Sequence, residues 1–325
     1  MANKSLLLIS ALPEDQAFAA EVAITAGLSL RSVADPKEGA NLIAEETPAI
    51  IFCDTSSESQ YMALENAIQE TVGLFSDKIN ANSIYFISSE VLEKVPYLIQ
   101  SPIFGHFIMR NYGDPAEAGQ HMGRLVKATS NERAFGLRQL LKDGAKVQAI
   151  KLQVTTQKQD AVEAVKNYLL AAKFQSRMAT VVANAVDELL MNAMFDAPTD
   201  DLGRTLFSST ARTASIKLEN RHAVEMHVGY DGKYVAITAV DLFGSLDKVK
   251  LLSHISKIYT EEEYKVKTSV AGAGIGLATV FRSGGSFFFV SEARVRTEVT
   301  VFFRRTDTFR EFKDQFRFIA TQFYF

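Results

Sequence analysis

Asp187-Glu188-Leu189-Leu190-Met191-Asn192-Ala193 decides how this chain is read. It lies within Gln175–Asp196, where Met178, Val181, Val182, Ala185, Leu189 and Ala193 recur at steps of three and four. That period puts the apolar residues on one stripe of a single long helix. Glu188 and Asn192 stand four apart, so both project from one face of it. Further along, Ala214–Glu219, Ala223–Gly229 and Lys233–Asp241 read as strands, with Tyr230-Asp231-Gly232 as a turn. Asp241-Leu242-Phe243-Gly244-Ser245-Leu246 follows, and later Gly272-Ala273-Gly274-Ile275-Gly276-Leu277 leads into a helical run, Ala278–Arg282. Phe287–Ser291 and Glu298–Phe303 read as two more strands, with Thr297 between them.

Each piece has a chemical sense. Glycines let a backbone approach a phosphate chain and adopt φ values other residues avoid. Leading into a helix, they also aim free N–H groups and a positive dipole end at an anion. An aspartate ending a buried strand accepts a hydrogen bond from an exocyclic amine, which separates adenine from guanine. The amide oxygen of Asn192 is a hard ligand for a magnesium ion carried by phosphates.

In this order the set resembles the superfamily shared by gyrase, heat-shock chaperones, histidine kinases and the MutL repair proteins. The N box matches Glu188–Asn192, the first glycine box Asp241–Gly244 and the second Gly272–Leu277. The resemblance implies ATP and Mg2+ as ligands, bound by a two-layer α/β sandwich with a mixed sheet over residues 147–305. It also implies a mobile lid at about Ser245–Ala271, a segment that mixes Lys248, Lys250, Lys257, Lys265 and Lys267 with Glu261-Glu262-Glu263. Asn192 would hold the metal and Asp241 would read adenine. Gly272, Gly274 and Gly276 would cradle phosphates, with Gly244, Leu277 and Thr297 also around the nucleotide. Glu188 occupies the place of the base in the superfamily's ATPases and anti-sigma-type serine kinases, whereas histidine kinases more often carry asparagine there. A carboxylate one turn before the magnesium ligand reaches a nucleophile in line with the γ-phosphate. The expectation is a serine/threonine-type protein kinase or regulatory ATPase acting on a partner protein. The alternatives are a non-catalytic nucleotide-binding scaffold and an atypical histidine kinase. Two departures stand out: Phe243 precedes Gly244 where the family has D-x-G-x-G, and His121 is followed by Met122 where a phosphoacceptor histidine is followed by an acidic residue.

The N-terminal half carries a different pattern. Leu6–Ile9, Leu28–Val33, Ala49–Cys53, Ile84–Ile87 and His106–Met109 are short apolar runs, as expected of strands covered on both faces. Helical segments lie between them: one opened by Pro13-Glu14-Asp15 and ended by Gly27, then Pro36–Glu46, then Glu58–Asn80. Such alternation predicts a flavodoxin-like, doubly wound parallel sheet over residues 1–126. Gly39-Ala40-x-Leu42-Ile43-Ala44-x-x-x-Pro48-Ala49-Ile50-Ile51-Phe52-Cys53-Asp54 resembles the second helix and third strand of response-regulator receiver domains. Asp54 then falls at the phosphoacceptor position and Ser88 at the usual Ser or Thr. Arg110 stands where that family has lysine. Its magnesium-holding acidic pair is replaced after the first strand by Ser10-Ala11-Leu12. A partner-binding pseudo-receiver fits these substitutions.

Residues 127–146 read as a polar, helical connector. Arg304–Phe325 places Phe309, Phe312, Phe316, Ile319 and Phe323 at three- and four-residue steps, predicting an amphipathic C-terminal helix over 306–325 with surplus aromatics for a homodimer or partner surface. Apolar residues make up 47% and charged residues 22% of the chain, ordinary values for folded protein. A net charge of −3 shows no bias toward nucleic acid. No apolar run reaches the ~18 residues of a membrane span, and Met1–Lys4 does not open a signal peptide. A single cysteine, Cys53, leaves no internal disulfide or cysteine-based zinc site. These features predict a cytoplasmic protein with no membrane insertion, and the two resemblances imply a signalling role with protein partners.

Overall fold

Leu6, Leu7 and Leu8 are all buried, so successive residues of β1 (Ser5–Ile9) pack on opposite faces of a sheet covered on both sides. The same holds for β3 (Ile50–Asp54) and β4 (Ile84–Ser88). The computed structural model describes residues 4–73, 79–130, 134–218, 220–249, 251–252 and 273–324. In it these strands run parallel with β2 (Ser29–Val33) and β5 (His106–Met109), in the order β2-β1-β3-β4-β5. Between them lie α1 (Pro13–Ala26), α2 (Pro36–Glu46), α3 (Glu58–Val72) and the short α4 (Pro96–Ile99), and α5 (Pro115–Thr129) follows β5. Side-chain oxygens of Asp35, Ser57 and Asp114 cap three of these helices. Pro13, Pro36 and Pro115 open helices with a preset φ, where no N–H is lost. α1 and α5 meet at Gly119 and Gly123, where an added β-carbon would come within 2.6 Å of Glu21 and 2.5 Å of Thr25. Only glycine permits that approach.

Internal contacts divide the chain into residues 1–134 with 316–321, and residues 135–315 with 322–325. The second unit pairs its strands antiparallel. β6 (Lys146–Leu152), β7 (Val224–Tyr230), β8 (Tyr234–Asp241), β9 (Ser286–Glu292) and β10 (Arg296–Arg304) lie in the order β9-β10-β8-β7-β6. α7 (Ser176–Met191) packs against α6 (Lys158–Ala171), α8 (Ala273–Arg282), β8 and β10. Its buried stripe is Met178, Val182, Ala185, Val186, Leu189 and Leu190. Each larger side chain in it contributes about 1.5–3 kcal/mol by leaving water. The chain is thus α/β with both parallel and antiparallel pairing.

Several expectations change. The helix expected to run to Asn80 ends at Val72, where Gly73 takes a φ of 57°. Ala214–Glu219 forms no strand: among its described residues, Lys217 makes one isolated bridge to Val154, and β6 takes the place beside β7. The connector is not a helix. After α5 its described residues hold one short 3-10 turn, Leu137–Leu140, and Ala134, Leu137, Leu140 and Leu141 are buried, so this segment packs rather than links.

The C-terminal helix is also absent. Thr308 caps a short α9 (Phe309–Lys313), and Phe318–Tyr324 forms β11. Aromatic and β-branched residues favour extended backbone there, and burial of both faces hides any alternation. In the first unit β11 pairs antiparallel with β5 (Phe318 opposite Ile108, Ile319 opposite Phe107). His106 is built into that edge: its Nδ1 accepts the Thr321 N–H at 3.0 Å, which leaves Nε2 to donate to the Asn82 carbonyl at 2.8 Å. A chain ending at Gln315 exposes the β5 edge, and an open hydrophobic edge is a template for aggregation. Size-exclusion chromatography should find this truncation in the void volume; a monodisperse peak would show β11 to be dispensable.

Candidate functional site

The end of β8 carries Asp241 into a buried position opposite Thr297 of β10. Its carboxylate accepts the Phe243 N–H at 2.9 Å, and it is further bonded by the Gly244 N–H and the Thr297 hydroxyl. Burial outweighs these bonds and pushes the Asp241 pKa from 3.8 up to about 7. Gly244 has a φ of 58°, and a β-carbon there would lie 1.9 Å from the Glu292 carbonyl oxygen. The strict glycine requirement therefore falls at 244. Phe243, in the place of the usual glycine, is buried with its ring stacked on His222 at 5.3 Å and the Arg221 guanidinium 4.8 Å from its centre.

A cavity of about 650 Å³ opens beside Asp241. That size suits a small-molecule ligand. Asn192, Asp241, Leu277 and Thr297, named from separate stretches of sequence, all line it. Leu189, Ala239, Phe289 and Val299 supply apolar wall, and Leu246 and Leu251 contribute from the start of the expected lid. Ser245 ties that segment down by donating to the Ala197 carbonyl at 2.7 Å. Burial lowers the pKa of Lys248. Residue 250 and residues 253–272, among them Gly272 and the remaining lid lysines and glutamates, lie outside the described residues. α8 is described from Ala273, so Gly274 and Gly276 lie within the helix rather than in a loop ahead of it. Glycine is a poor helix former, but buried Val280 and Phe281 anchor the helix. The first N–H groups of any helix have no partner within it.

α7 gives way to a π-helical stretch at Asn192–Asp196, closed by the Ala197 N–H donating to the Asn192 carbonyl at 2.9 Å. π-bulges inside helices frequently mark functional sites. Glu188 lies one turn before Asn192 and hydrogen-bonds with its side chain, but does not itself line the cavity. Burial first, then the charges of Asp187 and Asp196, raise the Glu188 pKa from 4.5 to about 7, while Arg212 and Asn192 pull it back.

Sequence reasoning missed the cavity's other wall. Asp196, Thr199, Thr205, Ser208, Ser209 and Arg212 line it from the segment that follows α7. The Arg212 Nη2 bonds both oxygens of Asp196, at 2.9 and 3.1 Å. Only the run of hydroxyl residues ending in an arginine hinted at this wall.

Asp54 belongs to the first unit, where Arg110 dominates its surroundings. Arg110 grips buried Asp15 through Nε and Nη2 at 2.9 and 2.8 Å, and its Nη2 also reaches Asp54 at 2.6 Å. Its Nη1 donates to Ser56 and Ser89, both at 2.6 Å. Ser10 and Tyr112 complete the shell of Asp15 at 2.6 and 2.7 Å. Burial opposes the Arg110 charge, but the hydrogen bonds and charges of Asp15 and Asp54 outweigh it and raise its pKa. Asp54 thus faces a buried guanidinium. Ser88 donates no bond to Asp54 but accepts the Glu90 N–H at 3.0 Å. His121 is buried on α5 beside Phe318, and burial, helped by the Arg124 charge, holds its pKa well below the ordinary value. Among the described residues no helix is long and apolar enough to cross a membrane, and no three or more His, Cys, Asp or Glu residues group so as to hold a metal ion by themselves.

No protein-family model matches this chain, and a search of curated proteins finds no match either.

Two outcomes follow from these charges. The native state binds the Asp241 proton more tightly than the unfolded chain, so the stability this adds is present in full below about pH 4 and lost as pH rises through about 7. At about 1.4 kcal/mol per unit the loss reaches up to about 4 kcal/mol. Asp241→Asn should therefore flatten the pH dependence and be the more stable protein at pH 8 in urea unfolding; equal slopes would refute the buried-carboxylate assignment. Arg110→Ala strands Asp15 without its counter-charge and should cost about 3–5 kcal/mol, read as a lower urea midpoint of the first unit, whereas a midpoint within error of wild type would show the network to be slack.

Proposed function

We propose that residues 135–315 bind ATP with magnesium and that the protein is a regulatory serine/threonine-type protein kinase or ATPase of the histidine-kinase/gyrase type. The observation that carries this is the meeting of Asn192, Asp241, Leu277 and Thr297 around one cavity. The donor set fits the ligand. Asp241 is a buried acceptor at a strand end, able to take an exocyclic amine, and Asn192 offers a hard neutral oxygen on the cavity lining. The opening turn of α8 offers N–H groups to phosphate. When bound, the magnesium-carried triphosphate supplies the phosphoryl group and its activation. Glu188, with a pKa near 7, is poised to take a proton from a serine hydroxyl or a water. Asn192 orients it through their shared hydrogen bond, and the apolar wall excludes bulk water.

In the same proposal, residues 1–134 form a flavodoxin-like, receiver-type module that docks a protein partner in a cytoplasmic signalling pathway and works without phosphate on Asp54. The Arg110 guanidinium already supplies the positive charge that a metal ion brings to an active receiver. Phosphotransfer through His121 is disfavoured by its burial. The place of Glu188 outside the cavity wall favours one second reading, a nucleotide-driven change of shape without turnover.

Calorimetric titration should show Mg-ATP binding, GTP not binding, and ATP binding abolished in Asp241→Asn; no heat with any adenine nucleotide would overturn the proposal. Glu188→Gln should keep ATP affinity within about threefold and lower turnover by about 100-fold or more. Wild-type turnover should rise as pH passes through about 7, where Glu188 loses its proton. Binding without turnover in the wild type would select the switch.

A further inference from the structure

Arg212 is the one cation, among the described residues, lining the cavity, and it is only half committed. Its Nη2 holds Asp196, while its Nη1 is buried without a hydrogen-bond partner. A buried N–H donor left unmade costs free energy, so the arrangement favours any acceptor that reaches it. The guanidinium sits 5.2 Å from the centre of the Phe195 ring, in the π-helical stretch. The chain beyond it is pinned: Thr155 donates its hydroxyl to the Ala214 carbonyl at 2.6 Å and accepts the Ile216 N–H at 2.9 Å. The other end of the segment is held at Ala197 by Ser245. Arg212 is therefore presented by a segment tied at both ends.

Its position along the cavity is also defined. Arg212 is bonded to Asp196, which closes the π-helical stretch that Asn192 opens. Arg212 thus lies beside the stretch that carries Asn192. Thr199, Thr205, Ser208 and Ser209 supply further hydroxyl donors on the same wall. A planar, fork-shaped donor set matched to tetrahedral oxyanions is what an arginine brings and a lysine does not.

We infer that Arg212 binds the terminal phosphate of a polyphosphate ligand in this cavity, exchanging part of its bond to Asp196 for the anion. The inference deepens the nucleotide proposal and rests on it for the identity of the ligand. Asp196 is a placeholder in the ligand-free protein. It keeps the guanidinium oriented, and it competes with the phosphate for it. A diphosphate one group shorter leaves the pair intact, so Arg212 makes the site selective for triphosphate over diphosphate.

The test is calorimetry with Mg-ATP, Mg-ADP and inorganic tripolyphosphate on the full chain, comparing wild type with Arg212→Ala, Arg212→Lys and Asp196→Asn. Wild type should prefer ATP to ADP at least tenfold. Arg212→Ala should bring the two within about twofold of each other with ADP affinity unchanged, and Arg212→Lys should restore only part of the preference. Asp196→Asn removes the competitor and should tighten ATP several-fold, a gain that a misfolded protein cannot imitate. An ATP-to-ADP ratio untouched in Arg212→Ala would overturn the inference and leave the nucleotide site standing. Tripolyphosphate bound by wild type and lost in Arg212→Ala, with no adenine preference, would keep the Arg212 site and remove the nucleotide proposal. Binding of neither nucleotide nor tripolyphosphate to wild type would remove both.

Discussion

A carboxylate at the end of an apolar strand is the constraint around which the second unit is arranged. Asp241 follows the buried strand Tyr234–Val240, and no cation is among the groups that act on it. Three donors steady it, yet burial still dominates. Holding Asp241 there dictates much of its neighbourhood. The chain must turn at once so that the Phe243 and Gly244 N–H groups point back, which demands a positive φ at Gly244 and packs that turn against the Glu292 backbone. Thr297 must be in register across the ladder, and β10 must therefore align with β8 along its length. An apolar residue at 241 would spare all of this. Retaining a carboxylate makes physical sense where a ligand N–H completes its shell.

The two units treat buried acidic groups in opposite ways. In the first, Asp15 and Asp54 share a guanidinium that is itself almost fully enclosed, and Ser10, Ser56, Ser89 and Tyr112 fill the remaining bonds. A closed network of that kind has no free valence to offer, and adding charge to Asp54 would have to displace bonds already made. In the second, the Asp196–Arg212 pair is about a quarter exposed, incomplete at Nη1 and set on a cavity wall. The first arrangement is built to stay as it is, and the second to be interrupted.

The sequence was most legible where burial is complete and punctuation is local. The parallel strands are unbroken apolar runs, and Asp35-Pro36 and Gly27 stop and start helices by backbone chemistry alone. β6 escaped because Lys146–Leu152 is a half-exposed edge strand whose polar residues read as linker. β11 escaped for the reverse reason: buried on both faces, Phe318–Tyr324 has no alternation, and its aromatic spacing imitates a helix that only α9 begins. In the site, Asn192, Asp241, Leu277 and Thr297 were readable because each sits at a motif with its own local geometry. Arg212 was not, since its role depends on Asp196 across a segment without period, and on a cavity that exists only once β8, α7 and α8 have packed.

Asp241 and Glu188 both titrate near neutrality, but for ligand binding they pull apart. In the proposed site, a ligand N–H reaching Asp241 favours the charged carboxylate, so binding near neutral pH is coupled to release of the Asp241 proton. Below about pH 7 that release has to be driven, and affinity weakens by as much as tenfold per pH unit. Glu188 is raised by its own burial and by the like charges of Asp187 and Asp196, causes that a donor at Asp241 does not touch. Both carboxylates are thus held near neutrality by where the fold buries them, Asp241 without a cation among its partners and Glu188 against like charges that Arg212 only partly offsets.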